Sequence, residues 1–570
     1  MPARVGHGLT RLSVATLVVL FGLLPAQATP SRPVGAAGGP TVAVITPARG
    51  PATGGTPVRI TGTGFDGTTV VRFGEVAAPS FDVETGLDGT ILDVIAPPHR
   101  AGTVRITVTT AVGSSPPVAA GAFGYLPVQG HWSSLSAPRR SSQTATLLPN
   151  GNVLVAGGCV QPEPSGQCSK ATATAEIYDP GRRSFAPTRS MTTARIGHLA
   201  ALLPDGEVLV SGGCPTLTCG SVLSPSELSA ELYDPATGRW TKTGPMAFIH
   251  HNPTVTLLAS RPASACAPNC GKVLVVGTSS ALDGSTPSTD AELYDPRAGT
   301  WAPTAPTEHD PNYPSSTLLP TGKVLVAGPV SDLPPLTAAP AELYDPVTST
   351  WAPTGNAEPT PEPGESTTLL PDGRVLAMAA NPAAGKGVEL YDPTALPDPA
   401  NPAVKGGAWT SAALTVQRYG NTATRLHDGG VLVAGGEGVT VGEPNSPPLG
   451  TAELYNEKSG TFTSAATMAG GRAVDPVSRS GRPTFTATLL SDGTVLVVGA
   501  SYRVASLDTY FKANQDANLS SPVAYGPSAE LYTPGDTGSG NNPLALGLGL
   551  GAAALLIALG AVVLVRRRNR

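Results

Sequence analysis

Charge is thin in this chain. Asp, Glu, Lys and Arg make up 14% of its 570 residues and the formal net charge is −5. No basic footprint for nucleic acid is present. The sequence also lacks a phosphate-binding loop, a nucleophile elbow and an H-E-x-x-H pair, which removes the enzyme classes that those motifs define. Lysine is scarce beside alanine, a usage that accompanies GC-rich bacterial genomes. There are only six cysteines, in three neighbouring pairs: Cys159/Cys168, Cys214/Cys219 and Cys266/Cys270. None has Cys-x-x-Cys spacing with histidine support, so a zinc site is not expected. An even set of neighbouring pairs in an exported chain reads as three local disulfides.

Glycine and proline, by contrast, are abundant at 67 and 59 residues, as turn-rich β proteins require. They punctuate a repeat. An apolar "TLL" run leads through a Pro-Asp-Gly type turn into a V-L-V run, whose first valine or equivalent stands at 153, 208, 273, 324, 375, 431 and 495. A loop then leads to an E-[LI]-Y triplet beginning at Glu176, Glu231, Glu292, Glu342, Glu389, Glu453 and Glu530. An aromatic fourth run follows at Phe185, Trp240, Trp301, Trp351, Trp409 and Phe462, but nothing of the kind follows Tyr532. The absent piece stands ahead of the first repeat, at Trp132 in "GHWSSLS".

Repeats of roughly 50–65 residues with four short strands each are the period of a propeller blade. The expected fold is therefore all-β: a seven-bladed β-propeller over residues 130–533, closed by its own N-terminal strand so that no sheet edge stays open. The glycine doublets Gly157-Gly158, Gly212-Gly213 and Gly435-Gly436, with the downstream Tyr and Trp, resemble the kelch repeat. Other repeats replace the doublet with Gly-Thr, Gly-Pro, Ala-Ala or Gly-Ala.

Residues 40–126 read as short alternating strands between Gly/Pro turns, the pattern of a small sandwich. The stretch from "TPARGPATGG" through Phe65, Phe73-Gly74 and Ala96-Pro97-Pro98 resembles the IPT/TIG family of immunoglobulin-like domains. That resemblance implies an extracellular spacer or adhesion module. Residues 1–28 have the basic, apolar and Ala26-Gln27-Ala28 regions of a signal peptide. After a linker at 534–543, residues 544–565 carry no charge and are followed at once by Arg566, Arg567 and Arg568. They are expected to form a single transmembrane helix with 566–570 as a cytoplasmic tail and the domains outside the cell membrane.

Galactose oxidase shares seven kelch blades, and the resemblance would imply a copper held partly by a Tyr-His pair. This chain has no Tyr-His dipeptide, and its histidine pair, His250-His251, shows no third partner in sequence. No cofactor and no metal site are expected.

Counting six residues back from each apolar triplet gives Arg140, Arg195, His250, Pro311, Glu362, Arg418 and Arg482. In a closed ring, the four arginines occupy contiguous blades at one mouth of the channel, with His198 one step inward. Arginine forks suit carboxylates and phosphates. The pattern has two readings: a ligand-binding arc, or a scaffold feature paired to loop carbonyls. Two functions follow. One is a membrane-anchored binding or adhesion protein that offers loops to a protein or glycan outside the cell. The other is a sugar-acting enzyme, since some resembling kelch propellers isomerise sialic acids with Arg, His and Glu at the channel mouth. The first is the expected function, and no enzyme activity is expected.

Overall fold

The computed structural model describes residues 39–535, save 53, 84–89, 118, 127–128, 161–169, 216–224, 261, 281–288, 310–313, 329–339, 357–365, 382–385, 396–406, 413, 439–447, 473–484, 500, 504–523 and 526–527. The segments read as signal peptide, linker, membrane span and tail lie outside the described residues but for Pro534 and Gly535. Among the described residues there is no α-helix, and no helix long and apolar enough to cross a membrane.

Period-two burial builds the N-terminal domain. In Pro57–Thr63 and Ile91–Ile95, alternate residues face inward, and the two strands pair antiparallel within one sheet. Gly102–Thr110 lies at the centre of the second sheet, between Thr68–Phe73 and Ala122–Leu126. The buried faces contribute Val58, Ile60, Leu92, Val94, Phe73, Ile106, Val108 and Phe123 to one core. With no cysteine available, aromatic edges join its centre: Phe73 meets Phe123 at 5.2 Å and Phe123 meets Tyr125 at 5.0 Å between ring centroids. The Tyr125 hydroxyl donates to the Pro97 carbonyl at 2.8 Å.

Beyond it, among the described residues, stand seven four-stranded antiparallel sheets. Their second strands, beginning at Val153, Val208, Val273, Val324, Val375, Val431 and Val495, are almost wholly buried. Side chains alternate across a strand, so a run buried on both faces must be covered on both. In the first sheet, Val153 and Val155 pack with Leu496, Val498 and Leu531 of the seventh. Leu154 and Ala156 pack the other way, with Val208, Val210 and Tyr233 of the second. The same alternation forms the seams two–three, three–four, four–five, five–six and six–seven. The seams thus form a closed cycle, and the first strands follow it, each touching the first strands of the sheets on either side. The arrangement is propeller-like.

Closure takes the form that the displaced Trp132 predicts. His131–Leu135 pairs antiparallel with Ala529–Thr533, with Trp132 opposite Tyr532, and supplies the fourth strand of the seventh sheet. Every sheet carries this aromatic pair at one register position, with ring centroids 4.9–5.1 Å apart. On the way in, Gln129 bridges to Ala465 on the outer strand of the sixth sheet. Its N–H donates to Ser464 and its carbonyl accepts from Ala466.

The glycine doublets have a steric cause. Gly157-Gly158, Gly212-Gly213 and Gly435-Gly436 all have φ between +62° and +89°. A Cβ on Gly213 would lie 2.7 Å from His198 Cβ and 2.8 Å from the Ile196 carbonyl oxygen. Gly213→Ala therefore combines left-handed strain with overpacking. It is expected to cost about 2–4 kcal/mol, read as a lowered midpoint in urea unfolding.

Candidate functional site

The third strands carry a glutamate at one register position, half-buried at Glu176 opposite Val155 and buried at Glu231 opposite Val210, Glu292 opposite Val275, Glu453 opposite Val433 and Glu530 opposite Val497. A carboxylate there needs compensation. It comes from the segment that enters the first strand of the same sheet. Arg195 donates to Glu231 at 3.1 Å, to the Gly212 carbonyl at 2.7 Å and to the Ser229 carbonyl at 2.9 Å. Arg140 does the same with Glu176, Gly157 and Thr174, and Arg418 with Glu453, Gly435 and Thr451. Backbone N–H groups complete the shell: Thr192 and Thr193 donate to Glu231, and Thr415 and Val416 to Glu453. Burial pulls Arg195 and Arg418 below the usual guanidinium range, while the facing carboxylates push them back up.

These three arginines are buried, and each guanidinium spends its hydrogen bonds within its own sheet. Their contacts favour the scaffold reading of the arc. In the third sheet His250 takes the same post, 3.0 Å from Glu292 and beside the Gly277 carbonyl. The first histidine of the His250-His251 pair is thus engaged by the scaffold. In the fourth sheet Glu342 accepts from the N–H groups of Glu308 and His309, and burial still raises its carboxyl above the usual range. Glu362 and Arg482 lie outside the described residues.

The seventh sheet departs from the six-residue count. Its glutamate, Glu530, is held by Arg472 at 3.0 Å, with the Ala469 N–H donating at 2.8 Å. Arg472 is fully buried. Sequence reasoning missed it because it counted backward from the first strand, across residues 473–484. Counting forward from the fourth strand finds it: Met191, Met246 and Met468 each stand four residues before Arg195, His250 and Arg472.

His198 is the candidate that joins two sheets. It is buried, its Nε2 lies 3.0 Å from the Thr144 hydroxyl of the first sheet, and its ring fills the space that Gly157 leaves. Burial, and then the Arg195 charge, pull its pKa down to about 3. The unfolded chain would bind that proton near pH 6.5. The folded state therefore binds fewer protons between these values, and stability falls as pH drops from about 6.5 towards about 3, by up to about 1.4 kcal/mol per pH unit. His198→Gln is expected to flatten this part of the pH–stability curve relative to wild type, measured by urea unfolding between pH 4 and 7.

Cys266 and Cys270 form the expected disulfide, in the turn between the first and second strands of the third sheet. Cys159 and Cys214 are also disulfide-bonded, but their expected partners, Cys168 and Cys219, lie outside the described residues. No group of three or more His, Cys, Asp or Glu side chains among the described residues is placed to hold a metal ion.

Connection lengths are strongly unequal. The first-to-second turns at 148–152, 203–207, 319–323, 370–374, 426–430 and 490–494 all have five residues, and only 258–272 is longer. The second-to-third connections span 157–174, 212–229, 281–290, 328–339, 435–451 and 500–528, with a short one at 382–385. In an antiparallel meander these two sets emerge at opposite ends of the strands. One end of the seven sheets therefore carries short turns except for 258–272 and the third-to-fourth connection 393–407, and the other carries most of the variable chain.

Comparison with known proteins agrees with some of these features. Residues 40–123 match the IPT/TIG domain. No curated protein matches the chain. Among solved structures, a fungal alcohol oxidase of the AA5 family in complex with copper is similar at 18% identity and a TM-score of 0.48, over 71% of this chain and 76% of that one.

Proposed function

We propose that this protein is a membrane-anchored extracellular binding protein, in which a seven-bladed kelch-type propeller presents long loops to a protein or glycan and the IPT/TIG domain acts as a neighbouring module. The unequal connections carry the reading. Irregular chain on a rigid scaffold is where recognition concentrates, and here it concentrates at one end. Orientation supports it. His131 and Thr533 are register partners, so the chain enters and leaves the propeller at the short-turn end. A linker of about ten residues reaches at most about 35 Å, which holds that end towards the membrane and turns the long loops outward. The sugar-acting alternative needed Arg140, Arg195 and Arg418 at a shared substrate, and each is engaged inside its own sheet.

Cells displaying the full chain, screened against glycan arrays and extracellular proteins, provide the test. A captured ligand should be lost when 212–229 or 500–528 is replaced by a short Gly-Ser turn, and kept when 457–460 is replaced. Capture that survives every long-loop replacement would overturn the proposal. A mutarotation assay on any captured sugar separates binding from turnover.

A further inference from the structure

The long turn of the third sheet, 258–272, breaks the five-residue pattern and carries the chain's one fully described disulfide. The Cα atoms of Cys266 and Cys270 are 4.7 Å apart, and Cys266 is fully buried. Between them lies Asn269, itself buried, and its side chain leaves its own sheet. Its amide nitrogen donates to the Pro346 carbonyl at 2.8 Å and to the Ser349 hydroxyl at 2.9 Å, both in the third-to-fourth turn of the fourth sheet. Its amide oxygen accepts from Lys272 at 3.2 Å. A second contact lies alongside: Ala265 fills the space above Gly322, in the first-to-second turn of the fourth sheet, where a Cβ would collide with it. The fifth sheet also reaches its successor this way, through the Asp372 N–H to Glu457 at 2.8 Å, but from an ordinary five-residue turn.

We infer that the Cys266–Cys270 turn is an oxidation-dependent clamp on the seam between the third and fourth sheets. The physical reason is entropic. A fifteen-residue connection outside any sheet costs about 1–2 kcal/mol for each residue held in one conformation. The short covalent ring around Asn269 removes much of that freedom before the cross-sheet bonds form. Setting the clamp requires two thiols to lose two protons and two electrons to a disulfide-bearing oxidant, which leaves as a dithiol while the Sγ–Sγ bond forms. In a reducing environment the same turn lacks its brace, and the seam keeps its apolar core and the hydroxyl contacts of Thr254 and Thr256 with Ser316 and of Thr304 with Tyr344. The inference does not rest on the binding function; it needs only exposure of the chain to such an oxidant.

Hydrogen exchange read by mass spectrometry on the full chain tests it, with C266S/C270S and N269A beside wild type. Both variants should speed amide exchange at 319–323 and 346–349 by about tenfold or more, and leave the equivalent turns of the second sheet, 203–207 and 235–238, unchanged. N269A should do so with the disulfide intact. Unchanged exchange at 346–349 in either variant would overturn the clamp, as would a rise spread evenly over all seven sheets. Should C266S/C270S fail to fold, N269A decides on the same amides.

Discussion

Glu231→Ala is expected to destabilise the protein by about 3–5 kcal/mol, the range found when one partner of a buried ion pair is removed. Arg195 and Glu231 are 0% and 1% exposed. Alanine would strand the guanidinium beside His198 and leave the N–H groups of Thr192 and Thr193 without their acceptor. The double change R195M/E231L removes both charges and should be milder than Glu231→Ala alone, because desolvation of an unmatched ion is then no longer included in the cost. Urea unfolding of the two singles and the double, compared as a cycle, gives the coupling. A loss under about 1 kcal/mol for Glu231→Ala would mean that Arg195 reaches solvent, and would revive the ligand-binding arc.

Trp132→Ala is expected to cost about 3 kcal/mol or more, as large aromatic truncations do. The indole lies 5.1 Å from the Tyr532 ring, and its Nε1 donates to the Ala466 carbonyl at 2.7 Å. Truncation loosens a strand that is joined to its sheet by no turn, so the edge of Ala529–Thr533 opens and the protein should self-associate. Trp240→Ala removes a similar contact from a strand that follows its neighbour directly. It should lower stability without promoting association. Sedimentation velocity separates the two variants; equal association in both would count against a role for Trp132 in closure.

Strand positions were legible because each is fixed by local chemistry. The Val-Leu-Val runs are buried on both faces, the Glu-Leu-Tyr triplets pair with them at constant register, and the glycine doublets take up positive φ. Trp132 was legible for a different reason: a missing aromatic strand at one end matched a surplus one at the other. The role of the arginines was not. A guanidinium at a strand entrance has the same spacing whether it faces a ligand or its own sheet's glutamate, and only the inward placement of Glu231 and Glu453, and of the less buried Glu176, decides which contacts are made. The glutamates were visible throughout as the first letter of the triplet, yet a charge in a β-strand reads from sequence as solvent-facing. Arg472 escaped because the segment after it, 473–484, breaks the spacing used to find its equivalents.

The pairing of His131 with Thr533 has a mechanical side. Tension applied between the N-terminal domain and the C-terminal end meets the closing strand pair from one end, where its hydrogen bonds would break in succession, as a zip opens. But Gln129 is first fastened to Ser464 and Ala466 on the sixth sheet, and the Trp132 indole is anchored to Ala466 as well. Pull from the N-terminal side is therefore shared among the outer strand of the sixth sheet and the Tyr532 hydroxyl, which also donates to the Gln129 carbonyl, before the strand pair itself is loaded.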